Sequence, residues 1–325
     1  MKTPYPMLRG FLLTLVCSTA FAEQQALVTV DPNNFAPGQN ISNAIAGARL
    51  LAMTIIPNPD PNLPGTLIPQ YSPAVYAQPV AASCYVFVPG VPCALNGNLA
   101  LGYTATTIPA TQPILWGEEN VASRCFLVVP PICDGGSEGP VLRVNFNVPT
   151  DYATAMVGYW AEDGAAIESF EAFDGGGQSL GKCIGRPPFS LPAGCSTTVL
   201  SDPNNAAGWV QLTIARPTAD ISFVLIGGEG NIRPIAQVQF NSPVSVQLAG
   251  LLSRVQGVGP GKSLTYKIIF ALTFYEVHDI QATCAMLTGF GNEVAAQSGK
   301  HINNRTAAQL LATTQAIEAA LHCHY

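Results

Sequence analysis

Acidic side chains are the residues best placed for chemistry in the first three quarters of this 325-residue chain. Glu118, Glu119, Glu162, Asp163, Glu168, Glu171 and Asp174 fall among runs that alternate apolar with polar residues. Two carboxyl groups held about 5 to 9.5 Å apart on a β-framework are the machinery of a glycosidase. Alternation puts Glu171 on the strand face of Ser169 and Phe173, opposite Phe170 and Ala172. Acids at such positions most often only solvate a surface. A glycan-active hydrolase is therefore the third reading of the chain, behind two non-catalytic ones.

Other chemistry fails on pattern. His278, His301, His322 and His324 all lie in the C-terminal part, and none forms the His-Glu-x-x-His pair of a zinc protease. No Gly-x-Ser-x-Gly nucleophile elbow occurs. Gly257-Val258-Gly259-Pro260-Gly261-Lys262-Ser263 invites a nucleotide-loop reading, but the position that must be glycine is Gln256. An interhelical turn explains that run better. No catalytic residue is assigned.

Binding chemistry fares better. Trp116, Tyr159 and Trp160 can stack on sugar rings while Glu171 accepts from hydroxyls. Asp31, Asn33 and Asn34 offer oxygen ligands that suit calcium, although a turn signal accounts for them equally. No other cofactor is implied.

Nine cysteines bear on where the chain works. Lys2 and Arg9, the apolar run 11–17 and the Ala20-Phe21-Ala22 ending make residues 1–22 a secretory signal peptide. The run is shorter than the roughly 20 apolar residues that span a bilayer. Cleavage removes Cys17 and two cations, which shifts the formal charge from −6 to −8. Eight cysteines remain, an even set suited to an oxidising compartment. Proximity pairs Cys84 with Cys93, Cys125 with Cys133, Cys183 with Cys195 and Cys284 with Cys323. An acidic chain without a basic stripe is a poor partner for nucleic acid or nucleotide. No later stretch reads as a membrane span. The expected address is secreted, periplasmic or cell-surface.

The elements that must position these residues change character along the chain. Residues 23–243 are rich in Pro, Gly, Val and Thr, and their short alternating runs read as an antiparallel, jelly-roll-like β-sandwich. Leu142, Val144, Phe146 and Val148 alternate with Val141, Arg143, Asn145 and Asn147 in the clearest strand. Prolines crowd 57–79 and argue there for edges and loops.

Residues 244–325 turn to helical periodicity and form a small all-α hairpin or bundle, giving an α+β multidomain chain. One stripe runs through Leu248, Leu251, Leu252 and Val255, and 263–276 makes a second helix. Asp279 caps a third, with Ile280, Cys284, Leu287, Gly291 and Val294 along its seam. Gly299 suits a left-handed helix end. Asn303 or Asn304 caps a fourth, with Ala307, Leu310, Leu311, Thr314, Ile317 and Leu321 on one face. Antiparallel packing brings Cys284 toward Cys323, with a stagger, since about 20 Å of helix faces about 28 Å.

Two segments carry resemblances. Val30-Asp31-Pro32-Asn33-Asn34-Phe35-Ala36-Pro37-Gly38-Gln39-Asn40-Ile41-Ser42-Asn43-Ala44, followed by Gly47, resembles the opening of β-sandwich modules of exported bacterial proteins, and Arg143 to Phe146, Ile167 to Asp174 and Ile221 to Gly227 fit the same jelly-roll-like pattern, which is similar to galactose-binding-like folds. Gly259-Pro260-Gly261-Lys262-Ser263-Leu264, then Thr283-Cys284-Ala285-Met286-Leu287, Gly289 to Val294, Ala296 to Lys300 and Leu321-His322-Cys323 resemble the helical FIMAH module. That module recurs near the C-terminus of secreted bacterial proteins and implies context rather than catalysis. The leading expectation is a non-enzymatic exported bacterial protein of the envelope or exterior, whose sandwich binds a glycan or surface partner. The second is a structural or interaction module without a small ligand.

Overall fold

A computed structural model describes residues 23–36, 39–57, 67–72, 75–79, 99–103, 114–115, 141–160, 167–184, 194–199, 207–229 and 235–323. Residues 1–22, Trp116, Cys84, Cys93, Cys125 and Cys133 lie outside that set.

Fourteen strands are followed by four helices among the described residues. The strands are β1 (Gln25–Val30), β2 (Ala48–Pro57), β3 (Leu67–Ser72), β4 (Val75–Pro79), β5 (Leu99–Tyr103), β6 (Ile114–Leu115) and β7 (Val141–Thr150). They continue with β8 (Tyr152–Trp160), β9 (Ile167–Phe173), β10 (Ser179–Ile184), β11 (Cys195–Val199), β12 (Ala207–Ala215), β13 (Ile221–Glu229) and β14 (Ile235–Pro243). The helices are α1 (Val244–Val255), α2 (Ser263–Glu276), α3 (Ile280–Gln297) and α4 (Asn304–Ala320).

The strands pair antiparallel in a five-stranded sheet, β1-β14-β8-β12-β11, and a six-stranded sheet, β10-β9-β13-β7-β2-β3. A small sheet, β4-β5-β6, stands in the proline-rich region where the sequence pattern was hardest to read. Alternation decides the faces. Leu142, Val144 and Phe146 of β7 are buried, whereas Arg143 and Asn145 between them are half-exposed. Ala153, Ala155 and Val157 of β8 and Val210, Leu212 and Ile214 of β12 do the same for the other sheet. The two inner faces close on one core, with the Phe146 and Phe240 rings 4.8 Å apart across it. Each large side chain buried there contributes roughly 1.5–3 kcal/mol. The result is an antiparallel β-sandwich followed by a small helical bundle.

The Asp174-Gly-Gly-Gly segment makes the tight turn between β9 and β10. Asp174 Oδ1 accepts from the backbone N–H groups of Gly176 and Gln178 at 2.9 and 2.8 Å, a side-chain mimic of a backbone turn.

β14 runs into α1 without a linker, since Pro243 ends the strand and Val244 starts the helix. The helices bury Leu248, Leu251, Val255, Leu264, Ile268, Leu287, Phe290, Val294, Leu310 and Ile317 in a second core. Ala26 of β1 belongs to that core, so the first strand serves both layers. Asp279 caps α3 through the Ala282 N–H at 2.9 Å, and Asn303 caps α4 through the Thr306 N–H at 2.8 Å. Gly299 takes the left-handed position after α3, at φ 72°.

The seam of α3 differs from the one expected. Thr283, Leu287, Phe290 and Val294 are its fully buried positions, while Ile280, Cys284 and Gly291 flank them half-buried. Phe290 supplies the bulk that Gly291 lacks, and Cys284 turns to its disulfide with Cys323. Cys183 and Cys195 form a second disulfide. The glycine-rich run 256–262 is the turn between α1 and α2, preceded by a helix rather than the strand that a nucleotide loop requires.

Candidate functional site

Of the ligand residues expected from sequence, Trp116 lies outside the described residues and the others stand in two different sheets. Tyr159 and Trp160 stand in β8, opposite Gly208 and Ala207 of β12, in the five-stranded sheet. Glu171 stands in β9 of the six-stranded sheet, between Lys182 and Leu225 on the neighbouring strands. Its Oε1 accepts from Ser179 Oγ at 2.7 Å. Neither cross-strand neighbour is an acid, so a two-carboxylate pair is not built across that row.

The outer face of the same sheet carries an aromatic ladder. Phe173 of β9 and Phe223 of β13 stack with centroids 4.8 Å apart and planes 7° apart. The Arg143 guanidinium of β7 lies 3.7 Å from the Phe223 ring centre. Arg143 Nε also donates to Asn145 Oδ1 at 2.8 Å. Both flanks of Phe223 are thus engaged. The ladder ties three strands together, and it leaves Phe223 no ring face for a sugar.

Concavity lies elsewhere, where the loop 39–47 meets α1 and α4. That loop is pinned from end to end. Asn40 Oδ1 accepts from the Ser42 N–H at 3.0 Å, and Ser42 Oγ accepts from the Val75 N–H at 2.7 Å. Ile41 is fully buried. The Gly47 carbonyl accepts from the Asn147 N–H at 2.8 Å, and Gln247 Nε2 of α1 donates to the Ala46 carbonyl at 3.1 Å. Gly47 sits at φ 86°, where a Cβ would lie 2.6 Å from Ser242 Oγ, so only glycine fits. Gly250 of α1 meets Ala46 so closely that a Cβ there would lie 2.2 Å from the Ala46 Cβ.

Between this loop and α1 opens a cleft of about 600 Å³. Gln39, Asn43, Asn147, Ser253, Arg254 and Gln309 give it polar walls, and Phe35, Ala46 and Ala249 apolar ones. Asn43 and Asn147 are exposed at its margin. A smaller cavity of about 130 Å³ adjoins it and shares Arg254, Gln309, Phe35 and Ala46. Its own lining includes Thr313 and Leu27.

Arg254 is the unusual member. Its Nη2 donates to Thr313 Oγ1 at 3.0 Å, whereas its buried Nε has no hydrogen-bond partner among the described residues. Burial pulls its pKa down, and no carboxylate among the described residues acts in the opposite direction. Arg216 is the contrast. It holds Asp220 through two hydrogen bonds of 2.9 and 2.6 Å, and that contact lowers the Asp220 pKa and raises its own.

No protein-family model and no curated protein matches the chain.

Asp31, Asn33 and Asn34 have structural work to do. Asp31 Oδ1 accepts from the Asn33 backbone N–H and from Asn33 Nδ2, both at 2.9 Å, and so caps the 3-10 turn Pro32–Asn34. The Asn34 carbonyl accepts from Gln309 Nε2 of α4, which fastens that turn to the bundle. Among the described residues no three His, Cys, Asp or Glu side chains cluster to hold a metal. No described helix is long and apolar enough to cross a membrane.

Sequence reasoning missed the residues of the cleft, because residues 39, 43, 147, 254 and 309 come together only through the fold. The one local signal was Arg254 itself, a lone cation in the last turn of a helix whose neighbours Leu251 and Val255 are fully buried.

Proposed function

We propose that this chain is an exported bacterial binding protein without catalytic activity, which holds a glycan in the cleft between its sandwich and α1. The observation that carries the reading is the cleft itself. Its volume lies within the usual 300–1,000 Å³ of small-ligand sites, and its loop wall is held rigid by backbone and side-chain hydrogen bonds. Side-chain amides from Gln39, Asn43 and Asn147 suit hydroxyl groups, since each amide both donates and accepts. Export is supported by the leader pattern of residues 1–22 and by two disulfides, which persist in oxidising compartments. The resemblance of residues 30–47 to the opening of exported bacterial β-sandwich modules and of the last helices to the FIMAH module supports the bacterial setting.

A glycan array probed with the mature protein tests the reading. Binding to at least one glycan is expected, with tenfold or greater loss in Asn43→Ala and Asn147→Ala at unchanged melting temperature. An array without signal, or binding indifferent to both substitutions, overturns it. Glu171→Gln is expected to leave binding unchanged, and turnover of any glycan abolished by that substitution would restore the hydrolase reading.

A second reading has its own observation. Tyr266, Ile269, Phe270 and Val277 of α2 and the residue following it are exposed, an apolar stripe at helical spacing. Such a stripe fits an interaction module. Concentration-dependent association that is lost in Phe270→Glu would favour it.

A further inference from the structure

The cleft contains a cation, Arg254, that has no ionic partner among the described residues. Guanidinium groups stay charged in proteins, so Arg254 cannot relieve its desolvation by losing a proton. A mostly buried charge without an ionic partner is costly, and folds usually answer it with a carboxylate. Here the described residues supply one hydroxyl, Thr313 Oγ1, and nothing to Nε. Arg254 lies in the last turn of α1, where the helix dipole favours a cation but gives the guanidinium no planar acceptor. Thr313 Oγ1 in turn donates to the Gln309 carbonyl of its own helix, so its hydrogen is already committed.

We infer that Arg254 is the anchor for a carboxylate, and that the cleft takes a hydroxylated acid of about monosaccharide size, the class of a hexuronate. This rests on the cleft being the ligand site and adds the charge of the ligand. An oxyanion meets a guanidinium through short, charge-assisted and often paired hydrogen bonds. Arg254 stands at the wall shared by the cleft and the smaller cavity, so an acid group bound to it lies at the inner end of the ligand. The remaining hydroxyls then face Gln39 and Asn43 of the loop and Asn147 of β7. Phe35, Ala46 and Ala249 provide apolar contact for the C–H groups of a sugar ring. A neutral sugar of the same size can offer hydroxyl oxygens to the guanidinium but no counter-charge. Discrimination should favour the acid, because only the acid brings a counter-charge to the guanidinium.

Isothermal titration of the mature full-length protein with sodium glucuronate, glucose and sodium sulfate decides the matter. Glucuronate is expected to bind at least tenfold more tightly than glucose and to weaken as sodium chloride is raised. Sulfate should compete only at concentrations well above those of glucuronate. Arg254→Gln should erase the preference, leaving the two sugars within twofold of each other, at a melting temperature equal to or above that of the parent. If glucose binds as tightly as glucuronate, the glycan cleft stands and the acid assignment falls. If neither binds, the cleft reading falls with it. Sulfate matching glucuronate overturns the sugar acid in favour of a bare anion site. The glucuronate-to-glucose ratio is measured on the unaltered protein, so a failure of Arg254→Gln to fold does not remove the test.

Discussion

Cys183 in β10 and Cys195 in β11 are joined by a disulfide that links the edge strand of one sheet to the edge strand of the other, with Cα atoms 5.6 Å apart. β9, β13 and β7 lie beyond β10 on one side, and β12, β8 and β14 beyond β11 on the other. The bond therefore closes one open side of the sandwich, where paired edges would otherwise depend on packing alone. The Cys183 side chain is fully buried in the sandwich core, so the bridge is part of the core it fastens.

Removing each disulfide separately should expose different costs. Cys183 and Cys195 are 12 residues apart, whereas Cys284 and Cys323 are 39 apart. Loop-closure entropy then assigns about 3 kcal/mol to the first and about 4 kcal/mol to the second. Paired alanine replacements followed by urea unfolding should show that order. The second bridge ties the C-terminal end of α4 to the first turns of α3, so its loss should also raise amide exchange at the end of α4. Equal losses, or a larger loss for the first pair, would contradict the entropic account.

Gly250 offers a cleaner test of how tightly α1 seats on the loop. In a helix interior, Gly→Ala ordinarily gains about 1 kcal/mol from propensity. The added methyl would meet the Ala46 Cβ at 2.2 Å, and overpacking costs about 1–3 kcal/mol or more. Gly250→Ala should therefore lower the melting temperature, and Ala46→Gly in the same chain should recover most of the loss. A melting temperature raised by Gly250→Ala would mean that the close approach is absent.

Acid stability should depend on two depressed carboxylates. Glu293 of α3 accepts from Lys267 Nζ at 2.5 Å and from Ser263 Oγ at 2.7 Å, and the lysine contact leads in lowering its pKa from 4.5. Asp220 is lowered from 3.8, chiefly by its hydrogen bond with Arg216. A carboxylate whose folded pKa lies below its unfolded value stabilises the fold above the unfolded pKa. That contribution is lost as pH falls through the folded pKa. Melting temperatures should hold level from neutral pH to about pH 5 and fall below about pH 4.5. Glu293→Gln should lower the plateau slightly and flatten the acid limb. Both pairs are partly exposed, at 29% and 20% for Lys267 and Glu293, so the effect should be modest and should shrink in high salt.

The helical region was legible in sequence for a physical reason. Helix ends are local events, and Asp279, Asn303 and Gly299 mark them with side chains or backbone freedom that act within four residues. The 263–276 helix matched its expected span because a glycine-rich turn precedes it and a change of periodicity follows. The strands were legible wherever alternation ran cleanly, as in β7. Their assignment to sheets was not, since β8 and β9 are consecutive in the chain yet join different sheets. That crossing places Trp160 and Glu171 in different sheets, a relationship that residue types alone do not reveal. The cleft was invisible for the same reason. Phe35, Asn43, Asn147, Arg254 and Gln309 have no periodic relationship, and the lack of a carboxylate partner for Arg254 among the described residues is a property of its surroundings.

The end of α2 supplies a stability test independent of any ligand. His278 occupies the left-handed region at φ 62°, where its N–H donates to the Tyr275 carbonyl at 2.9 Å. The Asp279 N–H donates to the Phe274 carbonyl, also at 2.9 Å. These two bonds are the paired closure that normally has glycine at the position of His278. A residue with a Cβ pays about 1–2 kcal/mol in that conformation. Glycine removes the penalty and returns part of the gain through the greater freedom of the unfolded chain. The His278→Gly variant should therefore be more stable by about 0.5–1 kcal/mol, read as a higher urea midpoint at unchanged slope. His278 Nδ1 also contacts the Glu276 carbonyl at 3.3 Å, an exposed and long hydrogen bond whose loss should subtract little. If the midpoint falls instead, side-chain contacts of His278 outweigh its backbone strain, and the histidine is held in place by what it touches.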